Sequence, residues 1–561
     1  NLGFVGTVNR GMALSDTNDV ILLNSDAEVA NDWLDRMVRA AWAAPRIASV
    51  TPFSNNAIIC SYPRFCEDNT LPHGYDTASL DKLFACTNST QVVDAPTGVG
   101  FCMYIRRDCL TEIGFFDLES FGKGYGEEND FCQRAAKAGW RNLHLLDTFV
   151  RHTGGVSFEA SKTPRIQAAT NTLRRLHPDY EIEVHKFVRA DPARSARQMV
   201  DMARIRESGM PVVLAVMHDR AGGTARHVTE LAEHLQDHAV FFSLTPSAGG
   251  RVVLKQIAEE ESWEISLDVE SEFADLALVL RHIGVCHVHY HHLMGHGLRV
   301  LHLPAELGVG YDFTAHDFYT FCPQISLTDN TNGYCGERGV EQCRNCLRVS
   351  PAPGGLDIET WRTQYGEFVA AARYVLAPSY DVAQRFARFV PTANIRYAPH
   401  TDMLSAASLP KPTHRIIDGD APLKIAVLGA LSPIKGADVL EDVAAEAARN
   451  GAPMEFHLVG FAYRDLRTRP PHYLKIHGKY AEDDLPRLFA TIRPDLVWFP
   501  AQCPETYSYT LSACLQAGVP IVAPNLGAFP ERLSGRAWSW IHAWNTSPNE
   551  WLAFFLNIRK N

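Results

Sequence analysis

Residues 211–235 read PVVLAVMHDRAGGTARHVTELAEHL: an apolar run behind a proline, a pair of glycines, then an amphipathic stretch. That is a strand, a glycine loop and a helix, the building unit of an α/β domain. Bare amides at such a helix N-terminus suit a phosphate or a sugar hydroxyl, which makes Gly222 and Gly223 candidate ligand-lining residues. Tight turns use glycine without any ligand, so the pair alone is weak evidence.

The same order continues downstream. VCHVHYHHL (285–293), YDFTAHDF (311–318) and YVLAPS (374–379) read as strands, and DVAQRFARF (381–389) as a helix. Beyond a proline-containing segment around 400–422, KIAVLGAL (424–431) begins another unit, with FHLVGF, LKIHGKY, DLVWFPA and VPIVAP as its strands. Upstream, VILLNSDAEV ends a buried strand in polar residues, WLDRMVRAAWAA (33–44) is helical, IASVTPF (47–53) is a strand, and VVDAPTGVGFCMYIRRDCL (92–110) reads as strand, turn and strand. DFCQRAAKAG (130–139) is a short helix closed by Gly139. A helical stretch breaks at Pro178, and ARSARQMVDMARIRESG (193–209) reads as a linker helix. The expected division is 1–190, a linker at 191–209, 210–405 and 406–561.

The 561 residues carry a net charge of −11, which argues against a nucleic-acid partner. No apolar run approaches the ~20 residues of a membrane helix and no export signal opens the chain, so the expected location is cytoplasmic. Peripheral contact with the inner face of the cell membrane stays open. The first residue is Asn1, and NLGFVGTVNRGMALS begins with a glycine-rich turn into a helix, without the usual opening strand of an α/β domain. The first domain therefore reads as truncated at its N-terminus.

Two sets of residues carry chemistry. In the first third, Asp26 follows a buried strand, where open α/β sheets bind ligands. A hard divalent cation held by such a carboxylate would neutralise a nucleotide diphosphate, and His152 in RHTGG is a second candidate ligand. Glu127, Glu128 and Asp130 in GYGEENDFCQR offer a general base for a sugar hydroxyl. Singly, these residues are commonly turn, cap or helix-start residues; their joint order argues for a site. In the last quarter, Lys435 in SPIKG is a candidate point charge for a diphosphate, and Glu505 in PETYSYTLS again follows a strand.

Residues 1–160 resemble family-two glycosyltransferases of GT-A fold, through NLGFVGTVNRG, LLNSDAEV, the 100–140 segment and VRHTGG. The resemblance implies that Asn24–Ser25–Asp26 replaces the Asp-x-Asp motif, with Asp26 and His152 on a Mg or Mn ion and Glu128 as base, Asp130 closing its motif. It implies inversion at the anomeric carbon. Residues 210–561 resemble family-four glycosyltransferases of GT-B fold, through AGGTARHV, TAHDF, LAPS, GALSPIKG and CPETYSYTLSACLQAGVPIVAPNLGAFPERL. That resemblance implies retention without a metal, Lys435 on the diphosphate, Glu505 on the donor sugar, His316 near the transferred sugar, and Gly222–Gly223 lining the cleft. The second glutamate of that family's motif is Ala513 here.

Cys322, Cys335, Cys343 and Cys346 are a further cluster, with the zinc-knuckle spacing at Cys343–Cys346. They are a candidate structural zinc site, with disulfides or unpaired thiols as alternatives. The expected function is a bifunctional glycosyltransferase moving sugars from nucleotide sugars to a lipid-linked or polysaccharide acceptor, as in O-antigen-type glycans. Alternatives are a chain active only in its second half, or a sugar-nucleotide epimerase or hydrolase. Donor sugars and oligomeric state have no sequence signal.

Overall fold

A computed structural model describes residues 3–122, 124–153, 159–257, 264–403, 409–413, 415–417, 419–467 and 473–560. Gly154 and Gly155 of the RHTGG motif lie outside the described residues. The chain divides into two compact units, Asn1–Gly209 and Met210–Asn561.

The first unit is built on a mixed five-stranded sheet, in the order Val20–Leu23, Cys102–Ile105, Ile47–Phe53, Arg141–Phe149, Val92–Asp94. Side chains alternate across a strand, so a sheet covered on both faces is largely apolar, and the polar groups it buries are hydrogen-bonded, as Ser49 is to Asn142 at 2.8 Å. The strand Ile47–Phe53 is buried throughout. Along Cys102–Ile105, Met103 and Ile105 join one core with Phe131 and Trp140, while Cys102 and Tyr104 join another with Met37 and Leu143.

The expected linker at 191–209 requires correction. Helix Arg194–Glu207 buries Ala196 and Val200 in a cluster with Phe53, Phe84 and Phe149. Tyr62 also donates to Asp201 across 2.7 Å. The helix belongs to the first unit, because its alanine and valine positions form an apolar stripe at helical spacing that the sheet covers. The helix expected at 130–139 spans Glu127–Lys137, capped by Gly126 at φ 89°, so three acidic residues occupy its first turn.

The second unit holds two α/β sheets of Rossmann-like type. The first has eight strands, in the order Glu264–Asp268, Arg251–Ile257, Val240–Pro246, Val212–Val216, Val285–Tyr290, Gly310–Thr314, Val375–Ala377, Ile395–Tyr397. From Val240–Pro246 onward neighbours pair in parallel, whereas the two outer pairings are antiparallel. The second sheet is parallel throughout: Leu474–Ile476, Met454–Ala462, Leu423–Leu431, Leu496–Trp498, Ile521–Pro524, Ser539–His542. Among the described residues, no helix is long and apolar enough to cross a membrane.

Candidate functional site

In the first unit, Asp26 lies in the turn between the strands Val20–Leu23 and Ala27–Glu28. The second strand pairs antiparallel with Arg151–His152, placing Ala27 opposite His152. The Thr153 amide donates to the Asp26 carbonyl at 3.1 Å. This ribbon sets His152 Nε2 3.5 Å from Asp26 Oδ1. The ring is clamped: Nδ1 lies 2.9 Å from the Asn56 carbonyl, so that nitrogen carries the proton and donates. Nε2 is thereby the nitrogen turned toward the Asp26 carboxylate, the one His152 would offer a metal ion. Asn55 bonds both the amide and the carbonyl of His152, and Phe101 stacks on its ring at 5.3 Å. Asn24 Nδ2 stands 3.4 Å from the same Nε2. Asn24, Asp26 and His152 thus form one group whose mixed oxygen and nitrogen donors fit a divalent cation.

Glu128 is carried by the helix Glu127–Lys137. A β-carbon on Gly100, the neighbour of Phe101, would lie 4.0 Å from the Glu128 carboxyl. Burial pushes the Glu128 carboxyl above its ordinary range. Glu127 is 3% exposed and its Oε2 has no hydrogen-bond partner. Burial and then the Glu128 charge push Glu127 up to about 8. Two adjacent buried carboxyls cannot both ionise cheaply, so the pair holds a proton near neutral pH. Asp130 differs. Its carboxylate accepts from Arg134 Nε and His177 Nε2, both at 2.8 Å. Lys137 donates to His177 Nδ1 at 2.8 Å. Asp130 is committed to this chain, which fixes the helix that carries Glu127 and Glu128.

In the second unit, Lys435 and Glu505 follow the adjacent parallel strands Leu423–Leu431 and Leu496–Trp498 at their carboxyl ends. The two loops are locked together. Gln502 N donates to Ile434 O at 2.8 Å, and Gly436, at φ 86°, lies so close to Pro500 that a β-carbon there would collide with its carbonyl. Lys435 Nζ consequently stands 3.8 Å from Glu505 Oε1, and that carboxylate pushes the lysine's pKa upward. Gly527, at φ 58°, packs against the Glu505 backbone, while Ala528 N donates to Glu505 O at 2.8 Å.

Next along the chain, Thr506 Oγ1 donates to the His316 carbonyl at 2.7 Å. Tyr509 reaches the glycine loop: a β-carbon on Gly223 would touch its ring at 3.4 Å, and its hydroxyl donates to Glu230 at 3.1 Å. Arg226 lies 4.2 Å over the same ring. Gly222, at φ 149°, caps the helix Gly223–His234. The segment Glu505–Tyr509 therefore links Lys435, His316 and Gly223 through direct contacts. Ala513 lies further along the helix Tyr509–Gln516, packed against the apolar core.

The sequence reading of this second cleft included no metal-type cluster, and the structure corrects it. His227, His291 and His316 offer ring nitrogens that all lie within 4.8 Å of one another. His289 and His400 extend the group, with ring centroids 4.0 Å from His291 and 4.1 Å from His227 respectively. Burial holds these rings neutral: His227 falls to about 4, His289 to about 3, and His291 and His316 well below the ordinary imidazole value. The signal was the His289–His291 alternation within VCHVHYHHL, which puts both rings on one side of the strand. Without the fold, nothing links it to His227 or His316.

Cys322, Cys335, Cys343 and Cys346 are all free thiols. Burial pushes Cys322 up to about 12, and the other three thiols act in the same direction. Arg362 Nη2 donates to Cys343 Sγ at 3.4 Å. Among the described residues, the donor group compact enough to share an ion is the histidine trio rather than this quartet.

No family model and no curated protein matches the chain. Solved structures similar to it include Anabaena HepE in complex with UDP, at 13% identity and a TM-score of 0.39, covering 63% of this chain and 93% of that one. Sucrose-phosphate synthase from Thermosynechococcus elongatus shows 13% identity and a TM-score of 0.40, over 62% of this chain and 89% of that one. The lipopolysaccharide outer core galactosyltransferase WaaB shows 10% identity and a TM-score of 0.40, over 62% and 90%.

Proposed function

We propose that the chain is a nucleotide-sugar-dependent glycosyltransferase with two transfer centres, building a glycan on a lipid-linked or polysaccharide acceptor. The observation that carries this reading is the Lys435–Glu505 pair at 3.8 Å, set past two adjacent parallel strands and tied through Thr506 to His316. A lysine so placed neutralises the diphosphate as the bond from the anomeric carbon to its phosphate oxygen breaks. Glu505 accepts hydrogen bonds from donor-sugar hydroxyls, and the glycine loop admits a ligand against bare amides. This centre belongs to the GT-B class and transfers with retention.

The first centre is of the GT-A class and inverts. Asp26 and His152 would hold a Mg or Mn ion, which neutralises the departing diphosphate. Glu128 takes the proton of the acceptor hydroxyl as that oxygen bonds to the anomeric carbon, and the diphosphate leaves with its electron pair. A carboxyl raised by burial is a better base near neutral pH than an ordinary one.

A second reading keeps only the Lys435–Glu505 centre, with the first unit docking the acceptor. It is favoured by Asn24, an amide 3.4 Å from His152 where a further carboxylate would strengthen cation binding. Titrating Mn into the protein with and without Asp26→Asn decides between them. Cation-dependent transfer abolished by Asp26→Asn supports two centres; full activity in chelator supports one.

A further inference from the structure

We propose that His227, His291 and His316 form a binding site for one borderline divalent transition-metal ion, such as Zn(II), in the second unit. The three rings come from separate elements. His227 stands in the helix Gly223–His234, while His291 and His316 follow the parallel neighbours Val285–Tyr290 and Gly310–Thr314. Their donor nitrogens lie within 4.8 Å of one another, a spread that small ring rotations close to the spacing of a metal's ligands.

Two further observations support a ligand here. His227 Nδ1 and His291 Nε2 are buried with no hydrogen-bond partner, in residues 8% and 1% exposed. A buried imidazole nitrogen without a partner is costly, and a metal ion would satisfy it. A fourth ring, His400, lies with its centroid 5.2 Å from that of His316, and its buried Nδ1 is also unpartnered. His291 Nδ1 and His316 Nε2 share one contact at 3.1 Å.

The donor chemistry selects the ion. An all-imidazole set suits Zn(II), Co(II), Ni(II) or Cu(II), and disfavours Mg and Ca, which take oxygen ligands. It differs in kind from the Asp26–His152 pair. Three protein ligands leave a fourth position open to water or to an oxygen of a ligand in the cleft beside Thr506. The site stands on these residues and does not depend on the glycosyltransferase reading.

The test uses the full chain, stripped with chelator and titrated with Co(II) without any sugar nucleotide. The expected result is a tight equivalent with tetrahedral d–d absorption and no thiolate charge-transfer band. His227→Gln and His291→Asn should each weaken it by at least about tenfold. Asp26→Asn and Cys343→Ser should leave it unchanged. No tetrahedral Co(II), a thiolate band, or binding indifferent to both histidine variants overturns the site. Should those variants fail to fold, X-ray absorption of the wild-type chain with one equivalent of Zn(II) replaces them. An imidazole-nitrogen shell supports the site, and a sulfur- or oxygen-only shell refutes it. Loss of transfer activity with Co(II) binding intact would count against the transferase reading alone.

Discussion

Gly527 lies directly against the backbone of Glu505: a β-carbon at Gly527 would collide with the Glu505 carbonyl oxygen, and φ at this glycine is 58°. The carboxylate opposite Lys435 is thus positioned by a residue with no side chain, more than twenty positions away. Gly527→Ala must displace the Glu505 loop or strain the turn. We expect a loss of about 1–3 kcal/mol in stability, with nucleotide-sugar turnover falling further than that loss explains. Chemical denaturation alongside steady-state kinetics separates the two effects.

Lys435→Ala removes the point charge but no packing of consequence. The expected result is a drop in kcat/KM for the second linkage of about tenfold or more, with an unchanged melting temperature. Equal kcat/KM in wild type and variant would remove Lys435 from the donor site.

The Glu127–Glu128 pair makes the first unit pH-sensitive. Glu127 sits at about 8 in the folded chain, above an unfolded value near the ordinary 4.5. Between those values the folded chain binds more protons than the unfolded one, so stability falls as pH rises through that window. Glu127→Gln should flatten this decline and stabilise the first unit by at least ~1 kcal/mol above pH 8. Urea denaturation followed at pH 5 and pH 9 reads the difference; an unchanged slope contradicts the assignment.

Arg36 is one of the buried cations of the first unit. It is 4% exposed, donates to Asp81 at 2.5 Å and to Thr148 at 3.0 Å, and Asp81 is fully buried. Arg36→Met strands the Asp81 carboxylate and should cost about 3–5 kcal/mol. The double variant with Asp81→Leu should recover part of that loss. Thermal unfolding of the single and double variants measures both.

The strands were legible in the sequence where short-range pattern determined them. IASVTPF is the strand Ile47–Phe53, because a largely apolar, β-branched run suits a strand buried on both faces, with Ser49 and Thr51 as buried polar positions. Asp26 and His152 could be named but not joined, since the Ala27–His152 pairing brings together residues 125 positions apart. The hairpins at 240–268 were not read as strands. Their polar alternation reflects an antiparallel margin added to a parallel sheet, and Gly249 and Gly250, at positive φ, lie in the turn between Val240–Pro246 and Arg251–Ile257. The role of Asp130 was hidden for the same reason as the histidine cluster. His177, which binds it, lies 47 residues away on a segment with no motif.

Nucleoside diphosphate release and glycan product, followed from a panel of UDP- and GDP-sugars with a lipid-linked acceptor, test the central claim most directly. Wild type, Glu128→Gln and Glu505→Gln are compared in parallel. The account predicts two linkages in the wild-type product, with each variant losing one of them by about a hundredfold or more and keeping the other. Full activity of both variants at both linkages, or no nucleotide sugar consumed by the wild-type chain, would contradict it.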